Sequence, residues 1–182
     1  MRLFVSLRPP GEAVAGLRAV TEGLHGRAPR LRWTRPEQWH LTLAFLGEVS
    51  DDVLGELTRR LGRAAARHPP LSLALGGGGR FGQRVLWTGV RGHREGLRKL
   101  AASAQAAARR SGVPVENRPY RPHLTLARAD GETDLRPLVE RLELWHGPTW
   151  VAAQLHLMRS HLGAGPGSSA LHETITSWPL EG

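Results

Sequence analysis

The sequence contains an internal repeat, and this repeat limits the folds that the chain can adopt. The segment Arg35–Ala44 returns as Arg118–Ala127, and seven of its ten positions are identical in the two copies. The same offset, which carries position 40 onto position 123, also places the opening segment Arg2–Leu7 on Val85–Val90. One register without gaps over this length is hard to obtain by chance, so we interpret the chain as two copies of one unit.

Two such units account for almost all of the 182 residues. We expect one domain over residues 1–182, with repeat units at about 1–83 and 84–166 and a short C-terminal segment at 167–182. A chain of this length buries about 70% of the surface that its unfolded state exposes. It therefore needs neither disulfides nor a structural metal to remain folded.

Hydrophobic periodicity divides each unit into strand, helix, strand, helix and strand. In the first unit, alternation predicts the strands and helical spacing predicts the helices, in the order strand 2–7, helix 14–24, strand 40–45, helix 53–61 and strand 71–75. The second unit shows the same order, with strand 85–90, helix 94–110, strand 122–128, a helix over 135–142 capped by Thr133 and a strand at 155–158. A last strand is predicted at 171–178. This pattern predicts an α+β fold with a pseudo-two-fold axis.

Two local features complete the prediction of the fold. Alternation places His40, Thr42 and Ala44 on one face of a strand, and the pseudo-two-fold axis would bring His40 and its equivalent His123 to one central cleft. The run Gly76–Gly79 is predicted to be a flexible turn. No Gly-Lys-Ser/Thr follows it, as a phosphate-binding P-loop would require.

Composition excludes several classes of protein. The chain has no cysteine, which rules out thiol catalysis, cysteine-based zinc sites and iron–sulfur clusters. No apolar stretch approaches the ~18 residues of a membrane-spanning helix, and the N-terminus lacks the apolar region of a signal peptide. We therefore expect a soluble, cytoplasmic protein that does not contact a membrane. A monomer is also expected, although no pattern in the sequence addresses the oligomeric state.

The chain is strongly basic, with 25 Lys and Arg residues against 16 Asp and Glu residues and a formal net charge of +9. Lys99 is the only lysine, so nearly all of the positive charge is arginine. A solvated arginine-rich surface explains this charge. A polyanionic partner explains it as well, because the arginine fork matches the geometry of phosphate. The net charge alone leaves both explanations open.

The repeated element that carries chemistry is a His-x-Thr pair, His40 with Thr42 and His123 with Thr125. At strand spacing, the two side chains of a pair point the same way, about 6–7 Å apart. An imidazole exchanges protons near pH 7, and a hydroxyl donates a hydrogen bond to an oxyanion. Two pairs in one cleft would provide one imidazole as a base and one as an acid, as an in-line displacement at phosphorus requires.

The other aromatic and histidine residues carry weaker signals. Phe45, Phe81 and Trp87 could line a nucleobase pocket, because single-stranded RNA is commonly held by aromatic stacking, but packing in the core explains each of them at least as well. His156 and His161 lack a third ligand for zinc, so we expect no metal. Five further histidines are expected to be exposed in loops or at element ends: His25, His68, His93, His146 and His172.

The two motifs with their flanks resemble the signature of the 2H phosphoesterase superfamily. The segments His40–Glu48 (HLTLAFLGE) and Arg118–Arg128 (RPYRPHLTLAR) look like its RNA 2′,3′-cyclic phosphodiesterase branch, which is historically named 2′-5′ RNA ligase. The opening Arg2–Val5 and the pair at 32–33 also agree. One departure is that glycine and serine follow the Gly-Pro pair at 165–166, where the resemblance leads us to expect an aromatic residue.

The resemblance implies a bilobal α+β fold with antiparallel sheets lining a central cleft and helices outside. It also implies metal-independent hydrolysis of RNA or oligonucleotide 2′,3′-cyclic phosphate ends to 2′-phosphomonoesters, without a cofactor. By motif, His40 would protonate the leaving 3′-oxygen and His123 would activate the attacking water. Thr42 and Thr125 would hold the non-bridging phosphate oxygens, and Arg128 would add positive charge.

Two other functions remain open from the sequence. Ligation would join the same RNA ends through a 2′-5′ linkage, and water at high concentration competes with it. A non-catalytic module that binds RNA ends would keep the basic cleft without the chemistry. The intact histidines and threonines of both motifs argue against such a loss.

Overall fold

The computed structural model describes all 182 residues and contains four α-helices and nine β-strands. The helices are α1 (Gly11–His25), α2 (Asp51–Ala66), α3 (Arg94–Arg110) and α4 (Arg136–Glu143). The strands are β1 (Arg2–Leu7), β2 (Arg32–Trp33), β3 (Leu41–Glu48), β4 (Leu71–Phe81), β5 (Val85–Gly92), β6 (His123–Arg128), β7 (Trp150–Ala152), β8 (Gln154–His161) and β9 (Leu171–Pro179). None of the four helices combines the length and the apolarity that crossing a membrane requires.

The strands form two antiparallel sheets. The first sheet has the order β3-β1-β8-β9, and the second has the order β2-β6-β5-β4-β7. Helices cover them, with α2 on β9, α3 on β3 and α4 on β4 and β5. One hydrophobic cluster of 40 buried residues includes side chains of both sheets. The predicted α+β class with antiparallel sheets is confirmed.

Each sheet contains strands from both sequence repeats. At the repeat offset, β1, β3 and β4 of the first unit correspond to β5, β6 and β8 of the second. However, β4 pairs with β5 and β8 pairs with β1, so the third strand of each unit lies in the sheet of the other unit. The proposed single bilobal domain and its repeat limits stay a prediction, and this exchange of strands suggests a direct test of them.

The strands that carry the two motifs, β3 and β6, each contain a β-bulge at the same repeat position. The bulged residue is Leu43 in β3 and Leu126 in β6. Each bulge buries two consecutive residues and turns the next one outward, Phe45 in β3 and Arg128 in β6. The predicted shared face was therefore wrong at Ala44, which is buried.

The glycine run is part of β4, so the predicted turn at Gly76–Gly79 was wrong. The turn lies at residues 82–84 instead. A side chain at Gly79 would overlap the indole of Trp87 in β5, and one at Gly78 would lie 2.6 Å from the Cβ of Leu142 in α4. The glycines are required because neighbouring groups approach this strand too closely for a Cβ atom.

The helix α4 begins later than predicted. Its N-cap is Leu135 rather than Thr133. The Asp134 carboxylate accepts the backbone N–H of Arg136 at 3.1 Å, and the Leu135 N–H donates to the side-chain oxygen of Gln83 at 3.0 Å. These side chains provide the acceptors that the start of a helix needs, which is why the cap does not fall on Thr133.

Candidate active site

The two sheets approach each other along β3 and β6, and both His-x-Thr pairs lie there. His40, Thr42, His123, Thr125 and Arg128 line one cavity of about 660 Å³, the smaller cavity. The structure thus brings together all five residues predicted to act on phosphate or to bind it. Their individual roles stay predictions.

A second, larger cavity of about 1060 Å³ adjoins the smaller one. The two cavities share five residues: Thr42, Phe45, His123, Thr125 and Arg128. Phe81 lines the larger cavity, whereas Phe45, which is 50% exposed, borders both. The Arg2 guanidinium lies 4.7 Å from the centroid of the Phe45 ring and covers one face of it. The nucleobase pocket predicted at Phe45 and Phe81 stays a prediction.

His40 precedes β3 by one residue and packs among rings. The Phe4 ring stacks on the imidazole with 4.8 Å between centroids, and the His172 ring lies perpendicular to it at 4.7 Å. Burial, followed by the nearby His172 and Arg8, lowers the pKa of His40 to about 3. In the free protein, His40 is therefore neutral near pH 7.

His123 opens β6 and makes a hydrogen bond that His40 lacks. Its Nδ1 lies 2.6 Å from the carbonyl oxygen of Arg121. A carbonyl oxygen only accepts, so Nδ1 carries the proton and Nε2 keeps a lone pair. Burial lowers the pKa of His123, the Arg121 carbonyl opposes this shift and Arg128 adds to it. Neutral His123 thus has an acceptor nitrogen at Nε2.

Each cleft histidine packs against a ring from the first strand of its own repeat. This ring is Phe4 of β1 for His40 and Trp87 of β5 for His123, and the repeat offset relates the two rings. The Trp87 centroid lies 5.9 Å from that of His123. The repeat therefore preserves the aromatic support of the two imidazoles as well as the motif itself.

Each cleft histidine also has a second, perpendicular ring. Beside His123 this ring is Phe81, at 4.9 Å, and beside His40 it is His172. His172 was predicted to be exposed, and this was wrong. Because β9 pairs with β8, His172 lies in the cleft, where its side chain is half-buried. No sequence signal marks this approach, because β9 lies outside the two repeats.

The smaller cavity is strongly positive. No Asp or Glu lines it, whereas four arginines do: Arg2, Arg32, Arg35 and Arg128. None of the four forms an ion pair. Arg32 lies opposite Arg128 in the β2–β6 ladder, where like charges destabilise a sheet. The Nε of Arg35 is buried without a hydrogen-bond partner. These uncompensated groups indicate an anionic ligand.

Sequence reasoning missed three of these arginines as cleft residues. Arg2 contributed to the repeat and to the family resemblance, Arg32 only to the resemblance and Arg35 only to the repeat. Arginine is so frequent in this chain that single positions carry little signal. Arg32 could have been found only from the pairing of β2 with β6. Periodicity cannot predict β2, because a strand of two residues is too short to show a pattern.

Outside the cleft, the histidines do not gather into a metal centre. The structure contains no group of three or more His, Cys, Asp or Glu side chains that could hold a metal ion. His161 has a partner in Glu173 at 2.9 Å. His68 was predicted to be exposed and is partly buried instead, because its Nε2 lies 2.7 Å from the Ser103 hydroxyl of α3.

The fold and the cleft define a class of α+β proteins in which two antiparallel sheets each bring one His-x-Thr pair to a shared cavity. The family model of the 2′-5′ RNA ligase superfamily matches residues 7–164. Because this match covers most of the chain, the protein belongs to that superfamily. The resemblance identified from the two motifs is confirmed.

Relatives and solved structures agree with this membership. The chain is 36% identical to an RNA 2′,3′-cyclic phosphodiesterase of Escherichia coli (strain K12), over 72% of this chain and 73% of the relative. It is 29% identical to a protein of the same name from Geobacillus stearothermophilus, over 98% of this chain and 57% of the relative. It thus spans little more than half of that second relative.

The structural similarity extends over the full chain. The apo crystal structure of E. coli LigT has a TM-score of 0.81 at 28% identity and covers 100% of this chain and 98% of its own. The complex of E. coli LigT with 3′-AMP has a TM-score of 0.78 at 26% identity, with the same coverage of both chains.

Proposed function

We propose that this protein hydrolyses RNA or oligonucleotide ends that carry a 2′,3′-cyclic phosphate and releases a 2′-phosphomonoester, with two histidines as acid and base and no metal ion. The observation that carries this proposal is that both His-x-Thr pairs and Arg128 line one cavity. The relatives named RNA 2′,3′-cyclic phosphodiesterase support the same activity.

His123 is the proposed base. Its Nδ1 donates to the Arg121 carbonyl oxygen, so Nε2 is free to accept a proton from the attacking water. The water oxygen bonds to phosphorus while the bond between phosphorus and the 3′-oxygen breaks. The 2′-oxygen keeps the phosphate, and the product is therefore a 2′-phosphomonoester.

His40 is the proposed acid, which donates a proton to the leaving 3′-oxygen. In the free protein its pKa is lowered to about 3 by burial, by His172 and by Arg8. A phosphate anion beside the ring favours the imidazolium form, so His40 takes up its proton when the substrate binds. After product release, proton exchange with solvent returns both histidines to their starting states.

Thr42, Thr125 and Arg128 are the proposed ligands of the non-bridging phosphate oxygens. The hydroxyls donate hydrogen bonds, and the guanidinium stabilises the charge that develops in the transition state. Mg²⁺ in enzymes is usually held by carboxylates, and the smaller cavity has no Asp or Glu side chain. This lining supports a mechanism without a metal ion.

The partner that fits the charge of the cleft is an RNA end with more than one phosphate. A cyclic phosphate diester carries one negative charge, whereas four unpaired arginines line the smaller cavity. Phosphates upstream of the reacting end would compensate the remaining positive charges. We therefore expect a lower KM for a short oligonucleotide than for a 2′,3′-cyclic mononucleotide, and we expect salt to reduce the difference.

One observation favours ligation as a second candidate function. The larger cavity adjoins the shared residues and offers space for a second RNA end that carries a 5′-hydroxyl. Attack by this hydroxyl instead of water would form a 2′-5′ linkage. Water is far more concentrated, so ligation dominates only where the second end binds tightly.

The test is to incubate the protein in EDTA with an RNA oligonucleotide that ends in a 2′,3′-cyclic phosphate, with and without a second RNA that carries a 5′-hydroxyl. We expect the 2′-phosphomonoester, at the same rate as without EDTA. A 3′-phosphate product, or activity that EDTA removes and a divalent metal restores, would contradict the proposal. A 2′-5′-linked product would favour ligation, and binding without turnover would favour a non-catalytic module.

A further inference from the structure

His172 is a third histidine of the cleft, and neither motif contains it. It lies in β9 opposite Ser160 of β8 and lines the smaller cavity together with His40 and Thr42. Its ring is perpendicular to the His40 ring at 4.7 Å and to the Phe4 ring at 5.1 Å. The imidazole therefore borders the place where a phosphate would contact His40.

Packing alone does not explain an imidazole at this place. Beside His123, the equivalent perpendicular ring is Phe81, and the interplanar angle is 86° in both pairs. An apolar ring thus satisfies the packing requirement of a cleft histidine. His172 instead buries a polar atom, Nδ1, that has no hydrogen-bond partner. Burial of an unpaired polar atom costs stability, so the polarity of this ring requires another explanation.

The buried Nδ1 determines where the proton of neutral His172 resides. A neutral imidazole has one N–H and one lone pair. A buried N–H without an acceptor is rarer, and less favourable, than a buried acceptor without a donor. The proton is therefore expected on Nε2. Burial lowers the pKa of His172, which favours the neutral ring.

We propose that His172 is a further phosphate-binding residue, which donates a hydrogen bond from Nε2–H to an oxygen of the phosphate group bound in the cleft. A neutral donor binds the anion without adding a charge that would oppose protonation of His40. The proposal rests on the proposed function only for the identity of the substrate, because the inference that a phosphate binds there can be tested on its own.

The experiment compares His172→Phe and His172→Gln with the wild type. The first variant reproduces the arrangement at Phe81 and removes the donor, whereas the second keeps an N–H group near the position of Nε2. Calorimetry measures the affinity for inorganic phosphate and for adenosine 2′-monophosphate. We expect His172→Phe to weaken both about 10- to 100-fold, as the loss of a hydrogen bond to a charged group would do, and His172→Gln to restore most of the affinity. The control is Leu171→Ala, on the same strand and outside both cavities.

A measurement on the wild type keeps the proposal testable should the variants unfold. Nitrogen-15 NMR should show neutral His172 protonated on Nε2, and phosphate should shift that N–H signal. The Nδ1–H tautomer, or unchanged phosphate affinity in a folded His172→Phe protein, would overturn the assignment and leave the hydrolytic function untouched. Weaker phosphate binding by His172→Phe, combined with no hydrolysis by the wild type, would support the assignment and contradict the proposed function.

Discussion

The two cleft histidines have different surroundings although they belong to equivalent motifs. A carbonyl oxygen holds the Nδ1 of His123, whereas His40 packs against Phe4 and His172 and makes no such hydrogen bond. The repeat alone would allow either histidine to be the base. The hydrogen bond at His123, which leaves Nε2 as an acceptor, is the residue-level reason to propose His123 as the base.

Replacing either histidine should reduce turnover without abolishing binding. We expect His40→Ala and His123→Ala each to lower kcat by about 10²–10⁴-fold, the usual contribution of a positioned acid or base. The arginines of the smaller cavity remain, so substrate affinity should change little. Steady-state kinetics on a cyclic-phosphate oligonucleotide checks this, with His161→Ala, outside both cavities, as the control.

The double variant adds a sharper criterion. The acid and the base act in one step, so removing the second histidine should lower kcat by a much smaller factor than removing the first. If the double variant instead loses the product of the two single losses, the histidines act independently. The shared-cleft mechanism would then be wrong even though both residues matter.

The stability of the protein should fall as the pH is lowered through the range in which the protonation state of His40 differs between the folded and the unfolded chain. The pKa of His40 is about 3 in the folded state against an ordinary value of 6.5. Between these values the unfolded state binds more protons than the folded state, so acidification favours unfolding. The contribution of His40 to the free energy of unfolding is fully present only above pH 6.5. Urea unfolding should therefore show a smaller loss on acidification in His40→Gln than in the wild type. Equal losses in the two proteins would contradict the lowered pKa.

At the scale of elements, β4 contains residues that are unfavourable in a strand but are required by close packing. Glycine weakens a strand, yet four consecutive glycines lie within β4 because side chains of β5, the helix α4 and the segment that follows α4 approach its backbone. The indole that Gly79 accommodates is also the ring beside His123. The glycine run lines neither cavity, and its last glycine makes room for a ring that packs against a cleft histidine.

Gly79→Ala should therefore destabilise the protein and lower its activity. The new Cβ would overlap Trp87, and moving the indole should cost about 1–3 kcal/mol, as overpacking of a core does. Gly55→Ala in α2 is the matched control, because its Cβ meets nothing within 4 Å and alanine is favoured in a helix by about 0.5–1 kcal/mol. Urea unfolding and steady-state kinetics measure both effects. An unchanged kcat in Gly79→Ala would show that Trp87 does not position His123.

At the scale of the whole molecule, the exchange of β4 and β8 joins the two repeats into one structure. Neither sheet can be completed by one repeat, since β4 pairs with β5 and β8 pairs with β1. The cleft depends on the same exchange, because it lies where the two completed sheets approach each other.

Fragments 1–83 and 84–182 should therefore fail to fold separately. Each would expose the strand edges that its partner covers, and each would lack part of the common hydrophobic cluster. Mixing the fragments should restore the circular dichroism signal and a cooperative unfolding transition. Cooperative unfolding of fragment 1–83 alone would show that the repeat is an independent folding unit and that the single-domain prediction is wrong.

Much of this protein could be predicted from local sequence. The positions of the long helices and strands follow from hydrophobic periodicity, which a short segment contains in full. The histidines His40 and His123 and the threonines Thr42 and Thr125 follow from duplication of their motif. Periodicity failed where packing against distant groups overrides it, at the glycines of β4 and at the bulges of β3 and β6.

The sequence by itself determined the α+β class, the two motifs and the family, because repeats and periodic patterns are properties of neighbouring residues. Only the tertiary structure decided which strands pair, which arginines share the cleft and what surrounds each histidine. His172 shows the difference most clearly, because it lies near the C-terminus and most of the chain separates it from His40. The two rings meet because β9 pairs with β8, β8 with β1, and β1 with β3, the strand that follows His40. Such long-range pairings depend on the packing of the whole core, and no local pattern encodes them.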